Sequence, residues 1–341
     1  MTIDEKYMRM AIDLARRAEG LTNPNPAVGA VVVKKGKIVG KGYHKRCGLP
    51  HAEVNALKSA GSRAKGATLY VTLEPCDHFG RTAPCTGAIV RAGIKKVVMA
   101  MKDPNPINNG RGTRRLIRCG IKTVAGVLEK EARALNKPYI KFITTGMPFV
   151  TVKAAQSIDG KIATKTGESK WITSDDARKF VHDLRAKVDA VMIGSNTAIK
   201  DDPLLLSRSP KGRQPVRVVV DSMGRVPKEA RVFSRMDESP VIVATAGKRG
   251  GRVDLKELLK KLGEMGIIHV LVEGGGELIA SLVEKRLADQ FLFFVAPKII
   301  GGRDAKTSVE GVGIKHLSES LALKDLKIHK FKRDILIEAS V

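Results

Sequence analysis

The chain has 341 residues, enough for two domains that each bury a core, and its 43% hydrophobic and 28% charged residues exclude a wholly disordered protein. The formal net charge of +26 is the outlier; it points to an anionic partner, nucleic acid or phosphate-bearing small molecules, weighed against a plain lysine-rich solvated surface. Four cysteines make no disulfide scaffold, the start MTIDEKYMRM lacks a signal-peptide core, and no run nears the roughly 18 apolar residues of a membrane helix, so a cytoplasmic protein without membrane contact is expected.

Apolar residues at helical spacing (Met8, Ala11, Ile12, Leu14, Ala15) predict a helix over 4–19. The turn formers Thr22-Asn23-Pro24-Asn25-Pro26 make a loop, and strands 30–33 and 38–43 flank the Lys35-Gly36 turn. Then come helix 52–60, strand 67–71, helix 85–92, strand 96–101, helix 113–119, strand 122–124 and a closing helix 129–142. Thr144-Thr145-Gly146-Met147-Pro148 punctuates the chain and divides it into 1–146 and 147–341. The second part opens with a strand at 149–155 and has helices at 175–186, 254–265 and 277–285. Its other strands are 190–193, 216–220, 241–244, 269–272, 291–295 and a terminal pair near 327–332 and 334–338; 247–251, with Lys248 and Arg249, reads as a loop tip. Both parts are layered α/β.

His51 and Glu53 open one predicted helix, Cys76 follows the strand 67–71 in Glu74-Pro75-Cys76, and Cys85 opens the next helix. One imidazole and two thiolates make the three-ligand set of a catalytic zinc, which keeps a position for water. Glu53, two residues past His51, is placed to move protons. H-x-E followed by P-C is the signature of zinc nucleobase deaminases, whose second half is usually P-C-x-x-C; here eight residues separate Cys76 from Cys85. Cys47 and Cys119 have no such context. The insert 77–84 brings a cation, Arg81, near the metal, where it suits an anionic substrate.

Asn23-Pro24-Asn25-Pro26-Ala27-Val28-Gly29, His51-Ala52-Glu53, Glu74-Pro75-Cys76, Gly80-Arg81-Thr82-Ala83-Pro84-Cys85 and Asp103-Pro104-Asn105-Pro106 resemble the riboflavin-biosynthesis bifunctional deaminase-reductases (RibD/RibG). That family's loop commonly reads E-P-C-S-H-H-G-R-T; Asp77 and Phe79 depart from it. The resemblance implies a cytidine-deaminase-like α/β/α domain in 1–146, with His51, Cys76 and Cys85 on zinc and Glu53 catalytic. It implies that Asn23, His44, Arg81 and Asn105 contact a phosphorylated pyrimidine.

The second half gives less by itself. Val270-Leu271-Val272-Glu273-Gly274-Gly275-Gly276-Glu277 reads as strand, glycine turn and helix start, a place for a phosphate, but Ile279 stands where G-x-G-x-x-G ends. The resemblance extends through 153–160, 167–173, Leu184-Arg185, 201–205 and 272–276. It implies a dihydrofolate-reductase-like α/β domain in 147–341 that uses NADPH. Ala155, Trp171, Thr197, Asp201, Ser222, Gly275, Gly276, Glu277, Leu278, Ile279, Ala280 and Ser281 would line the cofactor site. Ser169, Arg185, Leu205, Arg208 and Glu273 would face substrate, with Lys153 and Asp201 assisting reduction. A homo-oligomer, dimer or tetramer, is also implied.

The expected function is zinc-dependent deamination of 2,5-diamino-6-ribosylamino-4(3H)-pyrimidinone 5′-phosphate, then NADPH-dependent reduction of its ribosyl chain to ribityl. The alternative is a nucleic-acid base deaminase with an RNA-binding C-terminal domain. The cysteine spacing and only 4% aromatic residues count against it, so no nucleic-acid partner is expected. A zinc-stapled sensor without turnover would need a fourth protein ligand, and three are evident. A chain with one active and one degenerate half is the third possibility.

Overall fold

The computed structural model of the chain describes residues 1–80, 83–209, 213–247 and 250–341, so Arg81, Lys248 and Arg249 lie outside the described residues. The chain forms two compact units, Met1–Gly146 and Met147–Val341. The first begins with α1 (Ile3–Arg16), started by a reciprocal cap in which Thr2 Oγ1 accepts from the Glu5 amide and Glu5 Oε2 from that of Thr2. Its apolar face, Tyr7 to Ala15, is buried as the spacing predicts.

There follow β1 (Gly29–Lys34), β2 (Lys37–Tyr43), α2 (Ala52–Ala60), β3 (Thr68–Leu73), α3 (Cys85–Arg91), β4 (Lys96–Met101), α4 (Arg111–Arg118), β5 (Lys122–Val124), α5 (Glu129–Leu135) and α6 (Lys137–Thr145). The sheet order is β2-β1-β3-β4-β5; β1 is antiparallel to both neighbours, and β3, β4 and β5 are parallel. Helix α2 lies directly on β2: a side chain at Gly42 would overlap the Ala56 amide and the Ala52 carbonyl. This close seat fixes the helix start that bears His51 and Glu53. The single closing helix expected over 129–142 is two. They part at the buried Asn136, whose side chain accepts from the Ala27 amide (2.9 Å) and donates to the Ala27 carbonyl (3.1 Å).

The second unit contains β6 (Phe149–Ser157), α7 (Asp175–Arg185), β7 (Ala190–Gly194), α8 (Ser195–Asp201), β8 (Val216–Val220), β9 (Val241–Ala244), α9 (Leu255–Glu264), β10 (His269–Val272), α10 (Gly276–Glu284), β11 (Gln290–Ala296), β12 (Lys324–Phe331) and β13 (Asp334–Ser340). Its sheet order is β12-β13-β11-β6-β10-β7-β8-β9, parallel from β11 to β9, with the terminal hairpin antiparallel at one edge. The central strands are buried on both faces, as parallel strands under helices must be. Val150, Val152 and Ala154 pack with Leu258, Leu259, Leu262, Ile279 and Leu282 in one core. The alternate residues Lys153 and Ala155 turn to the other face, where a cavity opens. Asp159, just past β6, accepts from the amides of Ile300 and Gly301 and so holds the 300–302 turn. Among the described residues, no helix is long and apolar enough to cross a membrane.

Candidate active site

Three elements of the first unit converge. His51 is the residue that caps α2, Cys76 lies in the turn after β3, and Cys85 is the first residue of α3. Their ligand atoms lie within 4.8 Å of one another, and they form the metal-capable group found among the described residues. His51 Nδ1 is 3.2 Å from Cys85 Sγ and 3.6 Å from Cys76 Sγ. The Cys85 amide donates to Cys76 Sγ at 3.4 Å; hydrogen bonds from Cys85 and His51 hold the Cys76 thiol down to about 4, although burial opposes this. A half-buried thiolate, a second thiol and an imidazole on a small triangle are the donor set of zinc, which the residues fit. Glu53 is 4% exposed; burial, then the nearby Cys76, pushes its carboxyl up to about 7, and it also meets Cys85.

The site's surroundings are built by polar residues, of which Glu74 and Asp103 stand in the quoted motifs without an assigned role. Glu74 is 2% exposed and accepts from the amides of Asp103, Gly110 and Thr113 and from Thr113 Oγ1. It thus ties the start of α4 and the 103–113 loop to the turn that carries Cys76. Asp103 accepts from the Asn105 amide, Asn108 Nδ2 and the Tyr139 hydroxyl. The sequence signal available was an acid directly before Pro75-Cys76. Asn105 accepts from the Ile107 amide through its side chain. His44 is buried, contacts Asn25 Nδ2 and the Pro50 carbonyl, and stands edge-on to His51 at 5.1 Å. Asn23 precedes a cis peptide bond to Pro24.

In the second unit two cavities, of about 530 Å³ and about 580 Å³, share Ser169, Thr197, Asp201 and Gly275 in their walls. The first holds Lys153, Ala155, Ser169, Trp171, Arg185, Leu205, Arg208 and Glu273; the second holds Thr197, Ser222, Gly276, Glu277, Leu278 and Ser281. Ala155 and Trp171, expected on the cofactor, line the first cavity, and the Arg178 guanidinium lies 4.4 Å from the Trp171 ring centre. Ile279 and Ala280 line neither: both face inward from α10, Ile279 within the core. The glycine turn also serves packing, because a side chain at Gly276 would overlap the Thr307 carbonyl and Glu310, while the Gly275 amide donates to Thr197 Oγ1.

Arg185, at the end of α7, grips Glu273 with Nε (2.6 Å) and Nη2 (3.1 Å), and Lys153 Nζ approaches the same carboxylate at 3.5 Å. Burial alone would raise Glu273; the charges of Arg185 and Lys153 outweigh it and hold the carboxyl down to about 2. Asp201 accepts from Ser169 Oγ at 2.9 Å where the cavities meet. The first cavity also carries Lys170, Arg178, Arg231 and Arg235 against Asp201, Asp202 and Glu273, a wall of net positive charge.

A three-donor zinc centre with a buried carboxyl beside it, joined in one chain to a two-cavity α/β unit, defines a zinc-dependent deaminase fused to a reductase. Residues 1–101 match the family profile described as the cytidine and deoxycytidylate deaminase zinc-binding region, and residues 148–337 that of the RibD C-terminal domain. The riboflavin biosynthesis proteins RibD of Aquifex aeolicus and Escherichia coli are 48% and 41% identical to it, each alignment spanning 98% of both chains. Solved RibD of Acinetobacter baumannii superposes with a TM-score of 0.91 at 38% identity, over 99% of this chain and 98% of that one. The chain belongs to the RibD family, the bifunctional deaminase-reductases of riboflavin biosynthesis. The nucleic-acid deaminase alternative is not favoured.

Proposed function

We propose that the chain deaminates 2,5-diamino-6-ribosylamino-4(3H)-pyrimidinone 5′-phosphate and then reduces the ribosyl side chain of the product with NADPH. The observation that carries this is the His51–Cys76–Cys85 triangle with the Glu53 carboxyl buried against it. The solved Thermotoga maritima relative is described as a diaminohydroxyphosphoribosylaminopyrimidine deaminase and 5-amino-6-(5-phosphoribosylamino)uracil reductase; it is 39% identical, with a TM-score of 0.90 over 99% of this chain and 98% of that one.

His51, Cys76 and Cys85 would hold the zinc, which when bound supplies Lewis acidity for the activation of water. Glu53 moves protons at its carboxyl oxygens, taking one from the attacking water and giving one to the departing amino nitrogen. Asn23, His44, Asn105 and Arg81 hold the pyrimidine and its ribosyl phosphate. In the second unit NADPH, when bound, supplies the hydride, and the second cavity is its place, with Ser222, Thr197 and the 275–278 turn along it. The first cavity takes the ribosyl phosphate against its cationic wall. As the sugar ring opens, its ring oxygen needs a proton, and Lys153 Nζ, steadied by Glu273, holds one in that cavity. Asp201 and Ser169 orient the sugar where the cavities meet. Four cysteines, none in a disulfide among the described residues, suit the reducing cytoplasm.

A coupled assay of the purified chain tests the reading. Ammonia release and NADPH oxidation are followed on the pyrimidine phosphate, with metal analysis alongside. One ammonia and one NADPH per substrate, with about one zinc per chain, is the expected result. Ammonia release that persists after complete zinc removal would overturn the deaminase assignment.

A further inference from the structure

The first unit has a cavity that neither proposed reaction uses. It measures about 600 Å³ and lies between α1 and the edge strand β2. The strand register shows which face of the sheet it occupies. Tyr43 pairs with Gly29, and a side chain at Gly29 would run into the Ala11 carbonyl of α1. Partners across a ladder point to the same face, so Tyr43 and, two residues earlier, Lys41 stand on the side of α1. Gly42 between them meets α2, the helix that His51 caps, on the other face. The cavity is thus separated by β2 from that helix, and none of the residues in its wall is among those assigned above to the zinc or the pyrimidine.

The wall divides into a charged part and an apolar part. Arg17 at the end of α1, Lys41 and Lys45 bring three cations, and none has an ion pair among the described residues. Asp13 is the one acid in the wall among the described residues, and its carboxylate is held at 2.9 Å by Arg16, outside the cavity. Met10 and Leu14, one turn apart on α1, and the half-buried Tyr43 ring form an apolar shelf beside the cations.

A cleft lined by one sign of charge gathers ions of the other sign. Three cations against one acid that is already matched call for a ligand with more than one negative charge, which a phosphate monoester carries near pH 7. Its oxygens accept from guanidinium and ammonium alike. The shelf calls for a flat apolar group at the other end of the same ligand. We propose that this cavity is an accessory ligand site of the first unit for a phosphate ester of an aromatic compound, with the phosphate at Arg17, Lys41 and Lys45 and the ring against Met10 and Tyr43.

The four tyrosines of the chain make the test specific to this cavity. Tyr7 bonds to the Gly36 carbonyl, Tyr70 to Asp4 and Tyr139 to Asp103 near the zinc centre, whereas Tyr43 lines the cavity. The full, zinc-loaded chain with ring-labelled tyrosine is titrated with phenyl phosphate and followed by NMR, and Tyr43→Phe assigns the Tyr43 signal. That signal should shift saturably, and methyl phosphate and phenol, which each lack one half of the ligand, should bind more weakly. Replacing Arg17→Ala and Lys41→Ala together should raise the Kd read at Tyr43 by about tenfold or more. Ammonia release and NADPH oxidation by that variant, without phenyl phosphate, should stay at wild-type values. Lys41→Arg, which keeps the charge, should bind as wild type does; if the double variant does not fold, Lys41→Ala alone decides. A Tyr43 signal that does not move, or that titrates equally in the folded alanine variants, would overturn the proposal. Equal affinity for phenyl and methyl phosphate would overturn it too, because the ring would then add nothing.

Discussion

Glu53 and Glu273 are both buried carboxylates, with side chains that their surroundings push in opposite directions. Burial dominates at Glu53 and raises it to about 7, whereas two cations beside Glu273 hold it near 2. The first therefore suits proton traffic and the second suits a fixed counter-charge. Glu53→Gln keeps the shape and the ligand triangle but removes the proton carrier. Zinc content should stay near wild type while ammonia release falls by about 10²–10⁴; wild-type turnover in the zinc-loaded variant would refute the proton role. For Glu273, the drop from its ordinary 4.5 to about 2 corresponds to about 3 kcal/mol in favour of the charged form. The folded value lies below the unfolded one. That stabilisation is complete above about pH 4.5 and is lost as the pH falls toward 2. Urea unfolding of Glu273→Gln should show a large deficit at pH 7 that narrows below pH 4.5; a gap that is constant across that range would place the stabilisation elsewhere.

Helix α4 shows how an element without ligands can shape the zinc centre. Its start is tied to Glu74, and a side chain at Gly112 would overlap the carbonyl oxygen of Pro75, the residue before Cys76. Gly112→Ala must push α4 away or shift the Cys76 turn, which should destabilise the first unit by about 1–3 kcal/mol. It should also speed zinc loss to a chelator. Retention equal to wild type would show that the turn does not lean on the helix. None of this is legible in the sequence, because Gly112 lies among arginines and the contact it permits joins segments far apart in the chain. What is legible has a local cause. The 3.6-residue period of Tyr7 to Ala15 gives α1, apolar runs give the central strands, and His51, Cys76 and Cys85 declare themselves by ligand type and order. The failures have two causes. Only Ala198 of α8 is buried, so there was no periodic face to read. The break at Asn136 comes from its bonds to Ala27, a tertiary contact that overrides a continuous helical pattern.

At the scale of the whole chain, the charge and the chemistry are distributed differently. Residues 1–146 carry about 27 Lys and Arg against about 10 Asp and Glu, and cavities with cations in their walls occur in both units, one with Arg17, Lys41 and Lys45 in the first and the substrate cavity proposed above in the second. The excess on the first unit therefore far exceeds what one phosphate needs, and most of it is solvated surface. The groups assigned above to each chemistry also lie within one unit's own sequence. The zinc ligands and Glu53 all lie in Met1–Gly146, whereas both reductase cavities and the described hydrophobic clusters of Met147–Val341 draw only on that unit's residues. A unit with its own core can fold alone. The segment 147–341, expressed by itself, should melt cooperatively, bind NADPH and oxidise it when given the deaminated ribosylamino-pyrimidine phosphate, but release no ammonia from the diamino substrate. The segment 1–146 should bind zinc and do the reverse. If the folded 147–341 fragment binds NADPH but does not oxidise it, a group from residues 1–146 takes part in reduction, and the two chemistries are not separable.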